Sequence, residues 1–231
     1  MEIAAISDVH GKMNKWYKAL NGKTKKDFNS ADCIVVAGDM TMMGRRKELV
    51  EFLDWLDARP VKHKVIIAGN HDYFMDPGHP KETSCEEDIN DLISGYPSIH
   101  YLNDSGVTID GVSFWGSPVQ PAYGGWAFNC ERGEEIAHHW HKIPAKVDVL
   151  ITHGPAFGIL DQIVPLHWEE HLGCRDLLDA IVEVKPKFHV FGHIHGSFGK
   201  TELGRTTFCN TSSIGEDYST CNPPQFFDVH K

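Results

Sequence analysis

The chain has 231 residues, enough for a domain of ordinary size, and its 41% hydrophobic and 23% charged content is that of a globular protein. A formal net charge of −10 argues against stable nucleic-acid binding, because an acidic surface repels phosphate backbones. No apolar stretch approaches the ~20 residues that span a bilayer, and no linker or repeat divides the chain, so one domain over residues 1–231 with no membrane attachment is expected.

In chain order, short apolar runs recur and each ends in a polar cluster. Ile3-Ala4-Ala5-Ile6 leads into Ser7-Asp8-Val9-His10, and Cys33-Ile34-Val35-Val36-Ala37 into Gly38-Asp39. Val65-Ile66-Ile67-Ala68 leads into Gly69-Asn70-His71-Asp72. Val147 to Ile151 leads into Thr152-His153-Gly154-Pro155, and Phe188 to Phe191 into Gly192-His193-Ile194-His195. Continuous β-rich runs read as strands buried on both faces. Between them, residues 45–58 place Leu49, Phe52, Leu53 and Leu56 on one helical stripe, and residues 174–184 do the same with Leu177, Leu178, Ile181 and Val182. Alternating strands and helices predict an α/β fold.

Two stretches predict antiparallel pairing. Asp110-Gly111 between two β-rich runs is a hairpin signal, and residues 202–205 lead into residues 206–209. The run from Phe226 to Val229 is expected to close a second sheet. The whole reads as a four-layer α/β/β/α sandwich of two mixed sheets.

Ligands of open α/β sheets bind outside the carboxyl ends of the strands. Asp8, His10, Asp39, Asn70, His71, His153, His193 and His195 therefore converge on one rim. Imidazole, carboxylate and amide oxygen without thiolate suit zinc, iron or manganese. The Asp8-x-His10 and His193-x-His195 spacings each put two donors on one side of an extended segment. His138, His139 and His141 also cluster, but no carboxylate motif accompanies them, and they read as a solvated helix face. Met40, Met42 and Met43 read as packing residues. No Gly-x-Ser-x-Gly elbow is present. The six cysteines form no CxxC pair, and no signal peptide is expected, since Glu2 to Ile6 run directly into a charged motif. Free thiols in a reducing, cytoplasmic compartment are expected.

These blocks, in this order, resemble the calcineurin-like metallophosphoesterase superfamily: Asp8-x-His10, Gly38-Asp39, Gly69-Asn70-His71-Asp72, Thr152-His153-Gly154-Pro155 and Gly192-His193-Ile194-His195. The chain is further similar to its metallophosphoesterase-domain (MPPED, 239-type) branch through residues 37–41, Gly125-Trp126-Ala127-Phe128-Asn129 and Asn222-Pro223-Pro224. Animal members of that branch often carry glycine where this chain keeps His193, so the resemblance implies a complete site. It implies two divalent ions, manganese foremost, with iron, zinc, nickel or magnesium as alternatives. One ion falls to Asp8, His10, Asp39 and His195; the other falls to Asp39, Asn70, His153 and His193, with Asp39 bridging.

The implied chemistry is attack of a metal-activated water on phosphorus, with His71 as general acid. Asp72 is expected to hold His71 charged and oriented. Trp126, Phe128 and Asn129 are placed near the mouth of the site, where they would contact a nucleobase. The substrate class is a small phosphodiester, nucleotides included. A phosphomonoesterase and a non-catalytic nucleotide- or metal-binding protein remain open. Ala68 before Gly69 and Met43-Gly44 after the Asp39 block depart from the arginines of the protein phosphatases. Oligomeric state is not legible.

Overall fold

The computed structural model describes residues 1–81, 84–163 and 171–230. Strand β1 (Glu2–Ile6) is followed by helices α1 (Met13–Ala19) and α2 (Gly22–Ser30), then β2 (Cys33–Ala37), α3 (Arg46–Asp57) and β3 (His63–Ile67). Helix α4 (Glu86–Ser94) leads to β4 (Ile99–Tyr101), β5 (Ser105–Ile109) and β6 (Val112–Ser117), and then to the short strands β7 (Gln120–Pro121) and β8 (Asn129–Cys130). Next come α5 (Glu134–Trp140), β9 (Val149–Thr152), α6 (Arg175–Val184) and β10 (Phe188–Phe191), and finally β11 (Gly199–Leu203), β12 (Thr206–Asn210) and β13 (Gln225–Asp228).

The period-2 alternation of strand side chains sorts these elements into layers. In the first sheet, ordered β13-β1-β2-β3-β4, odd-numbered Ile3, Ala5, Cys33, Val35, Ala37, Val65 and Ile67 face the second sheet. Even-numbered Ala4, Ile6, Ile34, Val36 and Ile66 face the side chains of α1 to α4, including Trp16, Phe28, Phe52 and Leu56. The second sheet, ordered β11-β12-β10-β9-β6-β5, turns Phe114, Val149, Ile151, Val190 and Cys209 inward. It turns Trp115, Leu150, Phe191 and Phe208 toward Ile136 and Trp140 of α5 and Leu177 and Ile181 of α6. Strands buried on both faces explain the unbroken apolar runs, and the four-layer α/β/β/α architecture is as expected.

Local chemistry sets the element ends. The Asn21 side chain accepts from Thr24 N at 2.9 Å and starts α2, and Glu48 reaches back to Arg45 N at 3.2 Å to start α3. Asp110 and Gly111 both take positive φ (49° and 82°), the two-residue turn whose twist suits the β5–β6 hairpin. One placement differs from expectation. Strand β13 does not close the second sheet but pairs antiparallel with β1 at the edge of the first, Phe227 opposite Ile3. The physical reason is that β1 has a free edge, and Phe227 there joins the core between the sheets while stacking on Phe188 of β10, ring centroids 4.3 Å apart. His138 on α5 and His141 just after it are exposed, whereas His139 Nδ1 meets Asp104 Oδ2 at 2.6 Å.

Candidate metal centre

The parallel strands β1, β2, β3, β9 and β10 release their chains at one rim, and the expected donors gather there. Asp8 follows β1, Asp39 follows β2, Asn70 follows β3, His153 follows β9, and His193 and His195 follow β10. Four of these rim residues hold left-handed backbone: Asp8 (φ 51°), His10 (φ 44°), Asp39 (φ 52°) and His193 (φ 69°). Such conformations are uncommon outside glycine and concentrate at functional sites. Two motif glycines make the approach possible. A Cβ on Gly192 would overlap Asp8 Oδ2, and one on Gly38, itself at φ 90°, would lie 2.5 Å from His153 Nδ1.

Two donor groups result, with Asp39 between them. In the first, the ligand atoms of Asp8, His10 and His195 all lie within 4.8 Å of one another. His10 Nε2 and His195 Nε2 are 3.1 Å apart, and His195 Nε2 is 3.4 Å from Asp8 Oδ1. In the second, Asn70 Oδ1 lies 2.9 Å from His153 Nε2 and 2.8 Å from His193 Nδ1. Asp39 Oδ2 is 3.7 Å from His10 Nε2 and 3.4 Å from His153 Nε2. Its other oxygen accepts from His71 N at 2.8 Å.

The electrostatics follow from burial. Burial alone would raise both carboxyls, but His195 holds Asp8, and His153 holds Asp39, well below the usual carboxylate range. Burial pushes His10 down to about 4 and, with the neighbouring His153, pushes His193 down to about 4. Burial also opposes a charge on His153, yet Asp39 raises it to about 9; His195 is raised in the same way by Asp8. His153 donates Nδ1–H to Ala37 O at 2.9 Å, which turns Nε2 toward Asn70 and Asp39. Carboxylate oxygens, imidazole nitrogens and an amide oxygen are thus aimed into one buried space, where protons on His153 and His195 offset the carboxylates until a metal ion replaces them. Only positive charge stabilises such a set, and ionised carboxylates with nitrogen lone pairs are the forms that bind divalent metals. The residues fit metal ions.

The remaining expected residues divide. His71 reaches the rim: its Nδ1 lies 2.8 Å from Met42 O, and its ring packs edge-on to His10 at 4.6 Å and against Trp126 at 4.4 Å. Asp72 does not pair with the His71 imidazole. Its buried carboxylate accepts from Met40 N (3.3 Å), Thr41 N (2.9 Å), Thr41 Oγ1 (2.7 Å) and Gly69 N (2.8 Å), tying the Asp39 turn to the Asn70 turn. Adjacent residues in a tight turn point apart, which is why neighbourhood in sequence misled. Burial, and then Asp39, raise Asp72 to about 6.

Trp126 lines the cavity above the rim, but Phe128 and Asn129 do not. Phe128 packs in the helix-side core, and the Asn129 amide clasps its own loop, accepting from Tyr123 N and donating to Gly124 O at 2.9 Å. Met40 is buried packing, as expected, whereas Met43 is 55% exposed.

Sequence reasoning missed Ser212, whose Oγ donates to Asp8 Oδ2 at 2.9 Å, and the cavity-lining Arg132, Glu216 and Tyr218. Ser212 carried a usable signal. Thr206-Thr207-Phe208-Cys209 runs into Asn210-Thr211-Ser212-Ser213, the same strand-then-polar pattern as the other rim segments.

The chain resembles known proteins in sequence and in fold. The family described as calcineurin-like phosphoesterase matches residues 1–197. Human metallophosphoesterase domain-containing protein 1 is 37% identical over 215 residues, covering 86% of this chain and 64% of the human protein, so the chain spans less than two thirds of that relative. A UPF0046 protein of Caenorhabditis elegans is 35% identical over 237 residues, covering 100% of this chain and 76% of the relative. In fold alone, the crystal structure of TT1561 of Thermus thermophilus matches with a TM-score of 0.60 at 11% identity, covering 91% of this chain and 88% of that one. With the five blocks, the four-layer fold and the buried donor set in place, the chain belongs to the calcineurin-like phosphoesterase family, on its metallophosphoesterase-domain branch.

Proposed function

We propose that this metal-dependent phosphoester hydrolase is a phosphodiesterase with a binuclear centre, acting on small phosphodiesters. The observation that carries the two-ion reading is the position of Asp39 Oδ2, which faces His10 on one side and His153 on the other, at 3.7 Å and 3.4 Å. Asp8, His10, Asp39 and His195 would hold one ion, and Asp39, Asn70, His153 and His193 the second, with manganese the expected metal. Two such ions supply charge for the phosphoryl oxygens and lower the pKa of a water to that of a nucleophile.

The chain's own residues do the rest. With Nδ1 engaged by the Met42 carbonyl, His71 has Nε2 as the atom from which a proton passes to the leaving oxygen. Asp72 keeps the Asp39 and Asn70 turns in register through four hydrogen bonds. Trp126 covers the outer side of His71.

The surroundings favour a diester. The cavity, about 520 Å³, is walled by Pro121, Tyr123, Trp126, Ile163 and Leu172. Among its described lining residues Arg132 is the only lysine or arginine, and both its terminal nitrogens already donate to Leu172 O and Gly173 O at 2.8 Å. Glu216 adds negative charge at the same rim. A singly charged diester with an aromatic or nucleoside group suits this wall better than a doubly charged monoester, and Trp126 would stack on such a group. Six free cysteines, four of them buried, suit a reducing, cytoplasmic setting.

The test is turnover of bis-(p-nitrophenyl) phosphate against p-nitrophenyl phosphate by manganese-loaded protein. The expected result is a higher kcat/KM for the diester. A preference for the monoester overturns the diesterase reading.

A further inference from the structure

The cavity has one wall that the family match does not reach. Residues 215–221 lie beyond position 197, yet Glu216 and Tyr218 line the space above the rim. This turn is built to hold one side chain. Gly215 N donates to Thr220 O at 3.0 Å, and Tyr218 N donates to Gly215 O at 2.9 Å. The Asp217 carboxylate accepts from Ser219 N and Thr220 N, both at 2.9 Å. The turn is also anchored below. Ser213 N donates to Ser7 O at 2.9 Å, and Trp16 Nε1 donates to Asn222 O at 2.7 Å.

Within this frame Tyr218 adopts φ 54°, a left-handed conformation that is a genuine outlier for a bulky side chain. Its neighbours Glu216, Asp217, Ser219 and Thr220 are exposed, but Tyr218 is turned inward and half-buried. Its ring centroid lies 5.3 Å from that of His10 and 5.7 Å from that of His195. Lys12 Nζ fixes it from the side, donating to Tyr218 O at 3.2 Å and lying 4.7 Å from the ring centroid. The ring is thus pinned at three places, while the hydroxyl has no hydrogen-bond partner among the described residues. Backbone strain held by a surrounding network is characteristic of residues that meet ligands.

We infer that Tyr218 is a substrate-contacting residue whose hydroxyl donates a hydrogen bond to a phosphoryl oxygen of the ester held beside His10 and His195. This rests on the phosphoesterase reading of the rim. A phenol suits the position because it is a neutral donor on a rigid ring. It can meet a charged oxygen without adding a further cation that would repel the metal ions His10 and His195 would hold, and little side-chain freedom remains to be lost.

The test uses Tyr218→Phe, which keeps the ring and its packing and removes only the hydroxyl. Metal content and melting temperature should match wild type. The kcat/KM for bis-(p-nitrophenyl) phosphate should fall roughly tenfold or more, as expected for loss of one hydrogen bond to a charged group. Affinity of the manganese-loaded protein for inorganic phosphate, measured by calorimetry, should fall several-fold. Tyr218→Ala, which also removes the ring, should be no less impaired. If the Phe variant stays within twofold of wild type in both turnover and phosphate affinity, the assignment of Tyr218 is wrong and the phosphoesterase reading stands. If wild type hydrolyses no ester but binds phosphate with an affinity that depends on the Tyr218 hydroxyl, the hydrolase reading fails and the contact stands.

Discussion

The donors on the cavity floor owe their positions to sheet register, whereas the wall residues Tyr123, Trp126 and Tyr218 stand on loops whose turns are shaped by their own side chains. On the floor, five parallel strands end together, and left-handed backbone turns Asp8, His10, Asp39 and His193 into a shared space. Any shift there is felt across both sheets, because Asp8 is tied to Ser212 and His193, and His153 to Ala37. On the wall, Asn129 clasps residues 123 and 124, and Asp217 clasps residues 219 and 220, so each turn is shaped by contacts within a few residues, while Asp76 fastens the first loop at Phe128 N and Lys12 and Trp16 fasten the second. The floor can thus keep one chemistry while the walls choose what it acts on.

The difference can be broken from either side. The largest effect should come from Asp39→Ala, which removes the one carboxylate facing both donor groups. Losing the several kcal/mol a metal supplies predicts a fall in kcat/KM of about a thousandfold or more. Metal analysis should show fewer than two ions per chain, and two retained ions would remove Asp39 as a bridge. Replacing His193 by glycine should weaken only the second ion, so its loss of turnover should be largest at limiting manganese and partly restored by excess.

Next in size is His71→Ala. With a poor alkyl leaving group the rate should fall by roughly 10²–10⁴, while a p-nitrophenyl ester, whose leaving group needs no proton, should lose much less. Equal losses on both esters would refute His71 as the acid.

Glycine substitutions then compare floor and wall by stability alone. Gly192→Ala forces a methyl group into Asp8 Oδ2 and Ser7, so a destabilisation of roughly 1–3 kcal/mol is expected, with weaker metal binding. Gly125→Ala, on the wall, meets nothing within 4 Å and should lie within about 1 kcal/mol of wild type, on either side. Equal melting temperatures for the two variants would mean that the floor yields as readily as the wall.

The smallest effect lies away from both. Burial would raise Asp104, but hydrogen bonds from Lys142, Ser117 and His139 outweigh it and lower its pKa. A carboxyl whose folded-state pKa is depressed contributes stability above its unfolded pKa of ~3.9, and that contribution is lost as pH falls through the folded value. Asp104→Asn should therefore cost about 1 kcal/mol at pH 6 in urea unfolding, with the difference shrinking below pH 4, and should leave kcat/KM unchanged.

Much of the floor was legible because its signals are local. An unbroken apolar run reports a strand buried on both faces, and Asp, Asn or His just beyond it reports a donor at a strand end. The boundaries of α3 and α6 and the Asp110-Gly111 turn were legible for the same reason: stripe, cap and turn chemistry all act within a few residues. The wall was less legible. Trp126 was recognised, but Phe128 turns into the helix-side core and Asn129 spends its amide on its own loop. Tyr218 gave no sign, since nothing local tells a tyrosine that faces a cavity from one that faces solvent.

By itself, the sequence determined which chemical groups stand at the strand ends and, through alternation along each strand, that two sheets would pack between helices. Tertiary structure alone decided who meets whom. It brought Asp8 to Ser212 across 204 residues, set Asp39 between His10 and His153, and sent Asp72 to the backbone rather than to His71. It laid β13 along β1 instead of the second sheet, and folded a turn from beyond residue 197 over the metal rim. The reason is one of range: periodicity and ligand type are properties of a few neighbouring residues, while partner choice depends on which strand ends the crossovers bring together.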